Sequence, residues 1–258
     1  VAVAGPHTLE LHPSADVLDP DLAPQSRFTV SAGQRVSFVL THSPSHEAGP
    51  VPMNPEAALA RTDAWWSEWT ARGRYRGRWR EAVERSLITL KALTFEPTGG
   101  ILAAPTTSLP EQPGGVRNWD YRMCWLRDAT FTLYALLLAG YREEADAWRE
   151  WLLRAAAGSP HDLQPLYGIR GERNMPEWVA SWLPGYEGAA PVRIGNHAAV
   201  QFQLDVYGEV MDSLHVARGA GLAADVDAWK FQTVLMDFLE SNWSRPDSGI
   251  WEVRGPER

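Results

Sequence analysis

The spacing of hydrophobic and polar positions changes once along the chain. Over the first fifty residues it has a period of two: Thr8-Leu9-Glu10-Leu11 and Arg27-Phe28-Thr29-Val30 read as strands. A third strand, Val36-Ser37-Phe38-Val39-Leu40, follows the turn signal Ala32-Gly33. Pro44, Pro50, Pro52 and Pro55 then punctuate a linker from Ser43 to Pro55. Three strands are too few for an independent sandwich. Residues 1–50 are therefore expected to be the C-terminal part of a β-sandwich domain whose beginning is absent, and 51–77 a linker carrying a helix.

After Pro55 the period becomes three to four. Leu59, Thr62, Trp66 and Trp69 mark one stripe, and Trp79, Val83, Leu87, Leu90 and Leu93 a second. Ala129 to Gly140 is apolar nearly all round, which predicts a helix buried on every side. Arg142 to Ala157 is amphipathic, with Ala145, Trp148, Leu152 and Ala155 facing in and Glu143, Glu144, Asp146 and Glu150 facing out. Asn196 to Arg218 is expected to be a long helix, with Phe202, Val206, Val210 and Leu214 on one face. Leu222 to Trp243 is expected to be another, with Val226, Trp229, Met236 and Trp243.

The turns at Gly140-Tyr141 and Gly219-Ala220-Gly221 are short, whereas the connections 95–125, 158–195 and 244–258 are long. In antiparallel hairpins such alternation puts the long connections at one end. Loops longer than about 15 residues in a compact domain are usually functional. A buried helix paired with an amphipathic one, repeated, suggests inner and outer rings. The expected fold is mainly α: the first half of an (α/α)6 toroid over residues 78–258, preceded by the end of the sandwich. A plain helical bundle is the simpler alternative.

Composition narrows the function. The 258 residues are 45% hydrophobic and carry a net charge of -8, which argues against nucleic-acid and acidic-membrane partners. Cys124 is the one cysteine, so no internal disulfide framework exists, and a cytoplasmic location fits. The start, Val1 to Leu11, has no basic segment followed by an apolar run, and the longest apolar run, Ala129 to Tyr141, is too short to span a bilayer. Thirteen tryptophans are unusual, and such rings serve both as sugar platforms and as helix-interface filling.

Candidate chemistry sits in the long connections. Arg117 to Asp128 packs three cations, two carboxylates, two indoles and a phenol into twelve residues. A cleft for a hydroxyl-rich ligand needs both flat apolar faces and fixed charges. A salt-bridged helix entry is the bland alternative. Asp128 reads as a helix N-cap or as a site residue, and one carboxylate can do both. The second connection holds Tyr167, Glu172, Arg173, Trp178, Trp182, Tyr186 and Arg193. The third holds Glu252 between an indole and a valine, where desolvation raises a carboxyl pKa toward general-acid use. Arg254 would oppose that shift if it paired with Glu252. The seven histidines lack metal-ligand spacing and no glycine-rich loop follows a strand, so no metal and no cofactor is expected. Cys124, between Met123 and Trp125, reads as packing.

These residues resemble glycoside hydrolase family 15, the glucoamylase, glucodextranase and bacterial trehalase group. The resemblance lies in Ala104-Pro105-Thr106-Thr107-Ser108-Leu109-Pro110-Glu111, in Arg117-Asn118-Trp119-Asp120-Tyr121-Arg122 and in Cys124-Trp125-Leu126-Arg127-Asp128. It continues in 191–196, in Gln203-Leu204-Asp205-Val206-Tyr207-Gly208-Glu209 and in Gly249-Ile250-Trp251-Glu252-Val253-Arg254-Gly255. It looks closest to the trehalase-like branch. The resemblance implies an N-terminal β-sandwich, an (α/α)6 barrel and an inverting, exo-acting mechanism on α-glucosides such as trehalose or malto-oligosaccharides. It implies Glu252 as general acid and Arg127 with Asp128 as the grip on the terminal glucose. Arg193 matches an arginine of a sugar-lining loop, and Trp119, Trp125 and Trp251 are candidate stacking walls.

The family's catalytic base comes from beyond the acid, and the chain ends at Arg258. The rest of the barrel is therefore expected as a partner, and 258 residues alone are not expected to turn over glucosides at a normal rate. The functional alternatives are a glucoamylase or glucodextranase, a non-catalytic sugar-binding or interaction module on the same scaffold, and a purely structural helical domain with incidental tryptophans.

Overall fold

The computed structural model describes residues 1–14, 27–107 and 109–257. Residues 15–26 of the expected β-region and Ser108 of the 104–111 motif lie outside the described residues. The chain forms two compact units, Val1–Ala71 and Arg72–Arg258.

The first unit holds an antiparallel sheet of β1 (Ala2–Ala4), β2 (His7–Pro13) and β3 (Phe38–Pro44), with β2 central. The register pairs Leu11 with Leu40 and Thr8 with Ser43. The expected strand at Thr8–Leu11 lies within β2. The one expected at Val36–Leu40 starts at Phe38 and runs on to Pro44. Arg27–Val30 forms no strand. The helix α1 (Pro55–Ala71) starts where the Asn54 side chain accepts the Ala57 N–H at 3.0 Å. Its predicted stripe holds only toward the C-terminal end: Trp69 is buried, whereas Leu59 is exposed.

The second unit is helical, built from α2 (Arg80–Ala92), α3 (Leu126–Leu138), α4 (Glu143–Ala155), α5 (Asp205–Gly219) and α6 (Val226–Asn242). Two-residue ladders pin its loops. Thr94–Phe95 (β4) pairs with Gly100–Ile101 (β5), Cys124–Trp125 (β6) with Leu166–Tyr167 (β7), and Trp178–Val179 (β8) with Arg193–Ile194 (β9). The core joins α3, α4, α5 and α6 through Leu133, Trp148, Trp151, Leu152, Val206, Tyr207, Val210 and Leu235. Trp148 and Trp151 stack at 4.5 Å. Each such buried side chain contributes roughly 1.5–3 kcal/mol. No helix among the described residues is long and apolar enough to cross a membrane.

The α4 stripe is as predicted, since Ala145, Trp148, Leu152 and Ala155 are all buried. Glu144 departs from its expected outward position: it is buried, with Lys91 Nζ 2.9 Å away. The helix α3 is not buried on every side. Ala129, Leu133 and Leu136 face the core, while Phe131, Tyr134 and Leu138 lie exposed on the opposite face. The turn into α4 requires Gly140, with φ +97° and the Arg74 side chain pressed against its Cα.

Two further helix predictions change. The helix expected from Asn196 begins at Asp205. Asn196 caps only a 3₁₀ turn, His197–Val200, by accepting the Ala198 N–H. The backbone of 202–204 is engaged elsewhere: Phe202 O accepts the Ser248 N–H, and Leu204 N–H donates to Asp247 Oδ2 at 2.8 Å. The helix α6 starts at its Asp225 cap and turns a different face inward. Ala228, Gln232 and Leu235 are buried, whereas Val226, Trp229, Met236 and Trp243 are exposed. Small Ala228 allows close approach to α5, and Gln232 accepts from Arg218 at 2.9 Å.

Candidate active site

The β6 ladder delivers the chain to α3 at a fixed angle. Leu126 N–H donates to Pro165 O at 3.0 Å, and the next two residues, Arg127 and Asp128, lie in the first helical turn. Asp128 is not the N-cap; that position is Trp125, which makes no side-chain cap bond. Asp128 instead faces the helix's positive end, and its Oδ2 lies 3.3 Å from Arg127 Nη2. Cys124 is fully buried, and burial pushes its thiol up to about 12. A nucleophile needs the thiolate, so Cys124 belongs to packing.

Glu252 arrives from the loop after α6. Its φ is +53°, a left-handed conformation that costs a non-glycine residue about 1 kcal/mol. The turn is closed by Glu252 N–H to Gly249 O at 3.0 Å. The carboxylate meets the first connection directly: Trp125 Nε1 donates to Glu252 Oε1 at 2.6 Å. Arg127 Nη1 lies 3.5 Å from the same oxygen and donates to Ile250 O at 3.3 Å. Arg127, Asp128 and Glu252 therefore converge, although 125 residues separate the first from the last.

Burial raises the Glu252 pKa, and Asp128's charge adds to it; the Trp125 N–H and Arg127 pull the other way. The net direction is upward. The cation beside Glu252 is thus Arg127 and not Arg254, which turns away to Glu177, with Nη1 to Oε1 at 2.8 Å.

A polar cleft of about 420 Å³ opens on the Glu252 carboxylate. Glu111, Arg117, Trp119, Tyr121, Asn196, Gln201, Trp251 and Arg254 contribute to its walls. Arg127 and Asp128 adjoin it at the Glu252 carboxylate, with side chains 25% and 41% exposed and so open to a ligand. The three tryptophans differ in what they offer. Trp251 is 89% exposed, with free ring surface. Trp125 is 1% exposed, so it contributes an N–H to the site and not a stacking face. Trp119 carries two guanidinium groups, with Arg193 and Arg254 Cζ 4.6 and 4.4 Å from its ring centre, and donates to Glu111 at 2.8 Å.

Arg193 is held from several directions. Its Nη1 donates to Val116 O at 3.0 Å and Asn118 O at 3.2 Å, and its Nε lies 3.4 Å from Glu177. Glu177 was not singled out from sequence, yet it ties both arginines together. Its pKa is lowered, first by Arg254 and then, against a burial penalty, by the His197 N–H and Arg193. Asp120 is a second such anchor. It binds Arg122 with both oxygens at 2.9 Å and accepts the Gly195 N–H at 3.0 Å, joining the first long connection to the second.

Behind Arg127 lie two acids that the helical pattern treated as ordinary polar positions, Asp205 and Glu209 on α5. Burial and mutual repulsion push Glu209 up to about 8 and raise Asp205 as well. Their spacing of four within the 203–209 motif was the available signal. Among the described residues no three His, Cys, Asp or Glu side chains are grouped to hold a metal ion.

Residues 77–258 match the model of glycosyl hydrolases family 15. A trehalase of Mycolicibacterium smegmatis is 39% identical over 90% of this chain and 35% of its own length. A trehalase of Mycobacterium tuberculosis is 41% identical over 76% of this chain and 29% of its own length. One from Thermoplasma acidophilum is 38% identical over 76% and 33%, respectively. The chain thus spans about a third of the length of these curated relatives. A solved glycosidase structure is 20% identical, with a TM-score of 0.47 over 73% of this chain and 46% of that one.

Proposed function

Because the chain belongs to glycosyl hydrolases family 15, we propose that it carries the acid half of an inverting, exo-acting α-glucosidase site whose substrate is trehalose. The relatives that bear on the substrate are trehalases. The observation that carries the reading is the Glu252 carboxyl. It is mostly buried, raised in pKa, and set on the wall of a polar cleft.

In the protonated form Glu252 donates to the glycosidic oxygen as the bond to the anomeric carbon breaks. The carboxylate it becomes is then received by the Trp125 N–H at 2.6 Å and by the Arg127 guanidinium. These partners favour the ionised product of the proton transfer, while burial favours the protonated acid beforehand. Trp251 offers the stacking face, and Arg127 with Asp128 grip the terminal glucose. Arg193 acts at one remove by fixing Trp119 and the 116–118 backbone. Inversion requires a water on the opposite face of the sugar and a second carboxylate roughly 6.5–9.5 Å from the first. We assign that base to the remainder of the barrel. The exposed face of α3, with Phe131, Tyr134 and Leu138, supports such a covering partner.

The experiment is Glu252→Gln in a full-length enzyme carrying this chain. Turnover of trehalose is expected to fall by about a thousandfold or more, at the upper end of general-acid contributions. Binding of a glucose-like inhibitor is expected to persist, and NMR of the parent reaction before mutarotation should show one β- and one α-glucose per trehalose cleaved. A Gln variant that kept its rate would overturn the assignment. Sugar binding by the parent with no turnover would favour a binding module.

A further inference from the structure

We propose that Asp205 and Glu209 hold a single proton between them and, as a carboxylic acid–carboxylate pair behind Arg127, act as positioning residues for its guanidinium. The kinetic half of this inference rests on the hydrolase reading above; the proton itself does not.

The argument begins with charge. One guanidinium, Arg127, lies among acids from three elements: Asp128 beside it on α3, Asp205 and Glu209 on α5, and Asp247 and Glu252 from the loop after α6. Other cations are engaged elsewhere. Arg254 and Arg193 bind Glu177, and Arg122 binds Asp120. The helices α4 and α6 direct Arg149 and Gln232 to Ala223 O and Arg218, at the far end of α5. That is about 13 Å along the axis from Glu209, at 1.5 Å per residue. Five ionised carboxylates around one cation in a mostly dry site would repel strongly.

The second observation is geometric. Both carboxyl oxygens of Asp205 are shut off from water, and no residue other than Glu209 is placed to donate to either. Glu209 stands one turn later on the same face, and the two carboxyls lie against each other. Two bare carboxylates in contact are unfavourable; one proton turns the same contact into a short, charge-assisted hydrogen bond. The desolvation and repulsion that keep the proton on Glu209 to about pH 8 agree with this.

The protonated pair carries one negative charge. That suffices to hold the back of Arg127 while its Nη1 and Nη2 reach Glu252 and Asp128 at 3.3–3.5 Å. Loss of the shared proton doubles the charge behind Arg127 and draws it away from the glucose grip. Substrate affinity should therefore fall on the alkaline side, independently of Glu252's own ionisation.

Two measurements test this. In the chain itself, carbon-13 NMR of the carboxyl groups should find one proton on the pair at neutral pH. Asp205→Asn should lower the Glu209 midpoint by at least one unit, a tenfold change in proton affinity. In a full-length enzyme, KM should rise about tenfold by one pH unit above the proton's release, while kcat follows Glu252. Glu209→Gln, which keeps a neutral group of the same size, should flatten that rise in KM. Both carboxyls ionised at neutral pH in the NMR titration would overturn the inference, as would an unchanged KM profile in the Gln variant. If the full-length enzyme proves inactive on glucosides, the hydrolase reading falls and the NMR arm alone decides the proton.

Discussion

Replacing Trp125 with Phe removes the indole N–H that Glu252 accepts at 2.6 Å and leaves the surrounding apolar packing largely filled. A hydrogen bond to a charged group is worth about 1.5–3 kcal/mol. The bond favours the ionised carboxylate, so its loss must raise the Glu252 pKa further above its ordinary value. At 1.36 kcal/mol per unit, the expected rise is about one to two units. Arg127, 3.5 Å away, remains and limits the change. Glu252 is an acid whose folded pKa lies above its ordinary value of 4.5. Stability therefore declines as pH climbs from that value through the folded pKa, and the variant carries the decline to higher pH. The smaller ring also costs a pH-independent cavity penalty, which the slope with pH separates. The assay is a carbon-13 NMR titration of the Glu252 carboxyl in parent and variant, with urea melts at several pH values. A midpoint that stayed put or moved down would refute the account of how this acid is poised.

Three other outcomes follow from the packing. Lys91→Met should destabilise the chain by about 3 kcal/mol in a urea melt, because it leaves buried Glu144 without its ammonium partner at 2.9 Å; adding Glu144→Leu should recover most of the loss. Glu177→Gln should reduce acid-side sensitivity: the lowered Glu177 pKa gives stability that is present above its ordinary value of 4.5 and lost as pH falls below it, so the parent should weaken there and the variant should not, as thermal melts would show. Gly195→Ala should cost about 2 kcal/mol or more in the same melts, since φ is +77° and a Cβ would stand 2.1 Å from Pro176 O, displacing the N–H that Asp120 accepts.

The residues that could be read from sequence are those whose pattern holds only one solution. In α4, Ala145, Trp148, Leu152 and Ala155 form one apolar stripe against acids, and that stripe is the buried one. In α3 the apolar residues run all round, so periodicity carries no information about which face is covered. The outward position of Phe131, Tyr134 and Leu138 depends on neighbours in space. In α6 two apolar stripes compete. The larger side chains suggested one, but close packing on α5 selects the stripe with small Ala228 and hydrogen-bonded Gln232. The start of α5 was obscured for another reason. Asn196 is a sound cap signal, but the turn it caps is short, because Phe202 and Leu204 bond to the loop after α6.

The candidate site shows the same division. Arg127, Asp128 and Glu252 were legible through the motifs around them, and they converge. Asp120, Glu177, Asp205 and Glu209 were not, because a carboxylate's role depends on which donors reach it, and donors come from distant segments. Glu177 receives the Arg254 guanidinium and the His197 N–H, and its pKa is driven down. Glu252 receives one indole N–H and a longer contact from Arg127, and burial prevails. Asp205 receives no N–H from another residue, and with Glu209 beside it the pair is pushed upward, Glu209 to about 8. Three environments therefore sort chemically identical groups into a permanent anchor, a poised acid and a proton-sharing pair. Their order follows the number of N–H donors at each carboxylate, and moving a single donor should reorder them. That is why removing the Trp125 N–H should carry Glu252 toward the behaviour of Glu209.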